Sequence, residues 1–219
     1  MFDAKLRKLI DPILSSCAAR LVKQARYCKI TATNITLVGF GLGFLCCLAI
    51  VFHSYALALI LLLLNRLMDG LDGTVARAQQ NVQSQMPSRT VQSGTSDQGA
   101  FLDITLDFLF YAGFAFCFAL ADPERNALAF AFLLFSFLAS GTSFLAFSIF
   151  AQKRGLTTQA QGKKSIYYLE GLAEGGETIL CFIILCLFPF YAPHIAWAFG
   201  SLCLLSAFLR IYRAAKVLA

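Results

Sequence analysis

The chain has 219 residues, 58% of them hydrophobic and 14% charged, with a net charge of +6 and a mean hydropathy of +0.70. A soluble domain of this size carries about 25% charged residues, so a water-soluble globular protein is excluded and lipid is the expected solvent. The basic excess is then a matter of membrane topology, and no nucleic-acid partner is expected.

Residues 4–29 come first. Leu6, Leu9, Ile10, Ile13, Leu14, Leu21 and Val22 recur there at helical spacing among lysines and arginines. This fits a helix lying in the membrane interface with its basic face toward anionic headgroups, or an ordinary solvated helix packed on the loops. The segment is too charged to hold the apolar core of a cleavable leader.

Six apolar stretches follow, near 34–53, 55–77, 99–121, 127–150, 170–189 and 193–213, each close to the ~20 residues that cross a hydrocarbon core. Backbone groups in lipid must find partners within their own segment, so these are helices. The second is apolar only to Met68 and is a full span only if the helix continues through the polar motif beyond it. Residues 78–98 are dominated by Gln, Ser, Thr and Asn and read as a polar loop insertion. Six of the eight cysteines (Cys46, Cys47, Cys117, Cys181, Cys186 and Cys203) sit in apolar runs, and no CxxC pair occurs, so they read as packing residues. The fold class is an all-α integral membrane protein. It comprises a juxtamembrane amphipathic helix over 1–30 and a six-helix transmembrane domain over 31–219.

Of the 18 Lys and Arg, all but Arg66 and Arg125 fall before the first span, in the second and fourth connections, or at the end of the chain. The positive-inside rule places both termini and the long loops in the cytoplasm.

Against this apolar background stand four acids in two pairs. Asp69 and Asp72 are three apart, beside Gly73, Ala76 and Arg77, and share a face of the second helix. Asp103 and Asp107 are four apart and share a face of the third. An ionised side chain at the bilayer centre costs about 2.5–3.5 kcal/mol, so four would disfavour burial by roughly 10 kcal/mol unless compensated. A divalent cation in a water-accessible cavity is the economical compensation. Asp69 lies eight residues before Arg77, and Asp107 eight after Gly99, so each sits about 12 Å from its cytoplasmic helix end. An antiparallel pair of helices then brings both acid pairs to one depth. Gly70, Gly73, Ala76, Gly99 and Ala100 leave room around the carboxylates. Arg66, one turn before Asp69, is close enough to pair with an acid and act structurally. Gly39, Gly41 and Gly43 are suited to close helix packing in the first span.

Asp69-Gly70-Leu71-Asp72-Gly73-Thr74-Val75-Ala76-Arg77, followed by Gly99-Ala100-Phe101-Leu102-Asp103-Ile104-Thr105-Leu106-Asp107, resembles the D-x-x-D-G-x-x-A-R…G-x-x-x-D-x-x-x-D signature of the CDP-alcohol phosphatidyltransferases. All the signature positions are present. Thr33-Asn34-Ile35-Thr36 resembles the family's Pro-Asn-x-x-Thr at the start of the first span, with threonine in place of proline. The sequences around Asn65-Arg66 and Glu174 look closest to a branch of proteobacterial inner-membrane proteins. The chain departs from the family in its longer 78–98 spacer, an insertion of modest thermodynamic cost in an exposed loop.

The resemblance implies transfer of a phosphatidyl group from a CDP-linked lipid, such as CDP-diacylglycerol, to an alcohol, with release of CMP. It assigns Asp69, Asp72 and Asp103 to a Mg²⁺ or Mn²⁺ ion, Asp107 to the general base, and Gly73, Ala76, Arg77 and Gly99 to the CDP moiety. It also implies an inner-membrane location, a cytoplasmic active site and a homodimer. Lys163, Lys164 and Arg210 are candidates for a charged acceptor, or simple topology determinants. Glu174 and Glu177 share a face at the start of the fifth span, as acceptor contacts or as acids resting in the hydrated interface. The competing functions are an intramembrane carboxylate-based cation transporter and a catalytically silent scaffold of the same fold.

Overall fold

Backbone polar groups that cannot reach water are satisfied by helices, and helices are what this sequence builds. The computed structural model describes residues 32–83, 97–155 and 175–219, with residues 32, 33, 72–83, 97, 98 and 100 described by backbone alone. The described residues form α1 (Ala32–Val51), α2 (Tyr55–Gln83), α3 (Asp97–Ala121), α4 (Pro123–Lys153), α5 (Gly175–Leu187) and α6 (Ala192–Leu218). A 3-10 turn, Pro189–Tyr191, leads into α6, and no strand occurs among the described residues. The helix expected at 4–29 lies outside the described residues, as do Lys163, Lys164 and Glu174.

The six helices fall where the six apolar stretches are expected. Four of them (α1, α3, α4 and α6, the last with its leading turn) are long and apolar enough to cross a membrane, and α5 is a shorter apolar helix. In α2 the apolar run stops at Met68, yet the helix continues through the acidic motif to Gln83. Residues 78–83 therefore correct the expected loop. Ala78, Gln79 and Gln80 are good helix formers and extend the helix into the polar stretch.

The ends of the helices are set by local chemistry. α1 closes with a Schellman arrangement: Ser54 N–H donates to Ala49 O at 2.8 Å and His53 N–H to Ile50 O at 2.9 Å. His53 takes the left-handed position, φ 58°, that glycine usually fills. α4 is capped by Asp122, whose side chain accepts from Arg125 N–H at 3.3 Å, and starts with Pro123 at the first helical position.

The chain divides into two units, Met1–Phe114 and Ala115–Ala219. In the first, α1 packs along α2 at glycine. A Cβ on Gly39 would lie 3.2 Å from Met68 Cβ, and one on Gly43 would lie 2.8 Å from the Phe110 ring of α3. Gly41 meets nothing within 4 Å, so two of the three expected packing glycines do that work. The Cys46 thiol, fully buried, donates to Ala58 O at 3.2 Å, and the six described cysteines are not joined in disulfides.

In the second unit α4 packs along α6. Phe118 stacks on Phe130 with centroids 5.2 Å apart, and Phe132 packs tilted against Trp197 with centroids 4.3 Å apart. Buried Arg210 of α6 donates to Ser140 O at 2.9 Å and Ser143 Oγ at 3.2 Å on α4. Leu37, Val38 and Phe44 of α1, Leu128 and Leu138 of α4, and Phe208 and Ile211 of α6 all face outward. So much outward apolar surface belongs in lipid. The protein is an all-α integral membrane protein.

Candidate active site

The site lies in the first unit and is made by side chains of three helices. Asp69 comes from α2, and Asp103 and Asp107 from α3. Each offers a carboxylate oxygen, and these oxygens all lie within 4.8 Å of one another. Asp103 is exposed, and the Asp69 and Asp107 side chains keep 37% and 34% of their surface accessible. The cluster therefore opens outward. It borders a shallow, open cleft, to which α1 contributes Thr36 and Gly39, and α2 contributes Asn65 and Arg66.

The spacing of these oxygens suits a hard divalent cation. Oxygens on opposite sides of an octahedral Mg²⁺ are about 4.2 Å apart, and about 4.8 Å apart around an ion with 2.4 Å bonds. Carboxylate oxygen is also the donor such ions prefer. Asp69, Asp103 and Asp107 thus form a set that can hold one.

Arg66 stands among the acids. Its Nη2 donates to Asp107 Oδ1 at 3.0 Å, its Nη1 lies 3.5 Å from Asp69 Oδ2, and its Nε donates to Asn65 Oδ1 at 2.8 Å. Asn65, 4% exposed, donates in turn to Gly39 O on α1 at 2.8 Å. The guanidinium carbon sits 5.4 Å from the Phe110 ring centroid and 5.9 Å from that of Tyr111, within cation–π range. The acid partner expected for Arg66 is two acids on two helices. A fixed guanidinium between two carboxylates is poorly suited to passing cations, which weighs against the transporter reading.

Of the residues expected at the site, Asp69, Asp103 and Asp107 are brought together. Asp72, Gly73, Ala76 and Arg77 lie on α2, whose backbone alone is described there. Gly99 is in the first turn of α3. Glu177 occupies the first turn of α5, where the helix dipole favours an acid. Arg210 is in the second unit, tied to Ser140 and Ser143. Asn65 is the residue the sequence reading missed. Its signal was a polar Asn-Arg pair inside an apolar helix, one turn before the first aspartate.

The sequence profile of the CDP-alcohol phosphatidyltransferases matches residues 28–211, most of the chain. The chain belongs to the CDP-alcohol phosphatidyltransferase family. The inner membrane protein YnjF of Escherichia coli (strain K12) is 44% identical over 212 residues, spanning 97% of this chain and 94% of that protein. A bifunctional IPC transferase and DIPP synthase of Aquifex aeolicus (strain VF5) is 41% identical over 93 residues. That match covers 42% of this chain and 18% of the Aquifex protein. As a member of the CDP-alcohol phosphatidyltransferase family, the protein is a membrane transferase. It moves a phosphate-linked group from a CDP-alcohol to an alcohol acceptor.

Proposed function

We propose that the protein transfers a phosphatidyl group from a CDP-linked lipid, CDP-diacylglycerol being the donor to test first, to a small alcohol in phospholipid synthesis. It would act at the cytoplasmic face of a bacterial inner membrane. The observation that carries this reading is the cluster of Asp69, Asp103 and Asp107 carboxylates in the first unit, at positions where the family signature stands.

In the proposed reaction the acceptor oxygen forms a bond to the phosphorus that carries the lipid, and the bond from that phosphorus to the CMP oxygen breaks. Asp107 takes the hydroxyl proton, and CMP leaves. Asp69, Asp103 and, by the signature, Asp72 would hold Mg²⁺ or Mn²⁺. Such an ion, when bound, withdraws charge from the pyrophosphate and stabilises the departing CMP. Arg77 would grip a phosphate through its guanidinium fork. Gly73, Ala76 and Gly99 would leave space for the cytidine end. A second copy of the chain is the partner proposed in the membrane.

Purified protein in nanodiscs, given CDP-diacylglycerol and a panel of alcohols including glycerol 3-phosphate, tests this reading through CMP. Acceptor-dependent CMP release that a chelator stops is the expected result. No CMP with any alcohol, metal present, would contradict it.

A further inference from the structure

All three guanidinium nitrogens of Arg66 are committed: Nη2 to Asp107 on α3, Nη1 to Asp69 on its own helix, and Nε to Asn65. Asn65 is itself held by Gly39 O of α1, and the Phe110 and Tyr111 rings flank the group. A planar fork with a partner on each nitrogen has one orientation available, so it transmits that orientation to both carboxylates. The chain from Gly39 through Asn65 and Arg66 to Asp69 and Asp107 joins α1, α2 and α3 at the acids. A charge needed only to offset the acids would require none of this anchoring.

We propose that Arg66, oriented by Asn65, is a positioning residue of the transfer reaction. It fixes the separation of Asp69 and Asp107 and engages Asp107 through Oδ1, leaving Oδ2 to face the acceptor hydroxyl. This inference rests on the transferase reading above. Because Arg66 places a positive charge beside the carboxylates, removing it leaves their attraction for a divalent cation intact or stronger while spoiling their alignment. Turnover and metal binding are then expected to part company, which a general loosening of the helices would not produce.

The test compares wild type, Arg66→Gln, Arg66→Lys and Asn65→Ala in nanodiscs. CMP release gives kcat and donor KM, and electron paramagnetic resonance gives Mn²⁺ binding without substrate. The expected result is a kcat lowered at least 50-fold in Arg66→Gln, with donor KM within about 3-fold and Mn²⁺ bound as tightly as in wild type or more so. Arg66→Lys, which restores the charge without the fork, stays within about 10-fold of Arg66→Gln, and Asn65→Ala falls between it and wild type. Wild-type kcat in Arg66→Gln, full rescue by lysine, or joint loss of Mn²⁺ binding and turnover would each overturn the inference. An inactive wild type would instead overturn the transferase reading, and this inference with it.

Discussion

Asp107 carries two demands at once, because it belongs to the three-acid cluster and also accepts from Arg66. Asparagine in its place keeps an oxygen for Arg66 but has no carboxylate to take a proton. Asp107→Asn is therefore expected to retain donor KM within a few-fold and to lose about 10²–10⁴-fold in kcat, the usual worth of a general base. Steady-state CMP release measures both, and an unchanged kcat would remove Asp107 from that role. Gly43 makes a purely steric claim. A methyl there would meet the Phe110 ring at 2.8 Å, and Phe110 is only 4% exposed, so the ring has little room to yield. Gly43→Ala should destabilise the protein by about 1–3 kcal/mol. Thermal unfolding in detergent reads this, and an unaltered midpoint would show that α1 and α3 are less closely set than described. The acids were legible in the sequence because charges in an apolar helix stand out and their spacing fixes a shared face. The Asn65–Arg66 relay was only half legible, since spacing shows that Arg66 can reach an acid but not that it spans two helices.

At the scale of elements, hydropathy located each helix, and local chemistry placed its ends. The fourth helix begins at Pro123, ahead of the apolar run expected from 127, because Asp122 and Pro123 supply a cap and a preset first turn. That signal was present in the sequence and was overshadowed by the apolar run. The sixth runs past Arg213 to Leu218 through Ala214, Ala215 and Lys216, all good helix formers. The turn after α1 was the least legible, because its left-handed residue is a histidine. A non-glycine residue there costs roughly 1 kcal/mol, so His53→Gly is expected to stabilise the protein by about 0.5–1 kcal/mol. A lowered unfolding midpoint would contradict this and point to the exposed His53–Tyr55 contact, 3.1 Å between Nδ1 and the hydroxyl, as the stronger effect.

For the whole molecule, composition alone excluded water as the solvent, and the outward-facing leucines and phenylalanines agree. The acidic motif required α2 to continue beyond its apolar run, which it does. Matched depth of the two acid pairs was a matter of rise per residue, and Asp69, Asp103 and Asp107 do meet. What spacing could not supply was the closure of that meeting by α1, whose glycine face and Gly39 carbonyl depend on tertiary approach. The central claim is that Asp69 and Asp103 of this cluster hold the cation on which transfer depends, beside Asp107 as the base. Titrating Mn²⁺ into wild type and Asp69→Asn, while recording bound ion by electron paramagnetic resonance and CMP release in the same samples, tests it most directly. The account predicts that binding and turnover rise together in wild type and that both fall at least 10-fold in Asp69→Asn. CMP release that persists in chelator, or that is indifferent to Asp69, would contradict it.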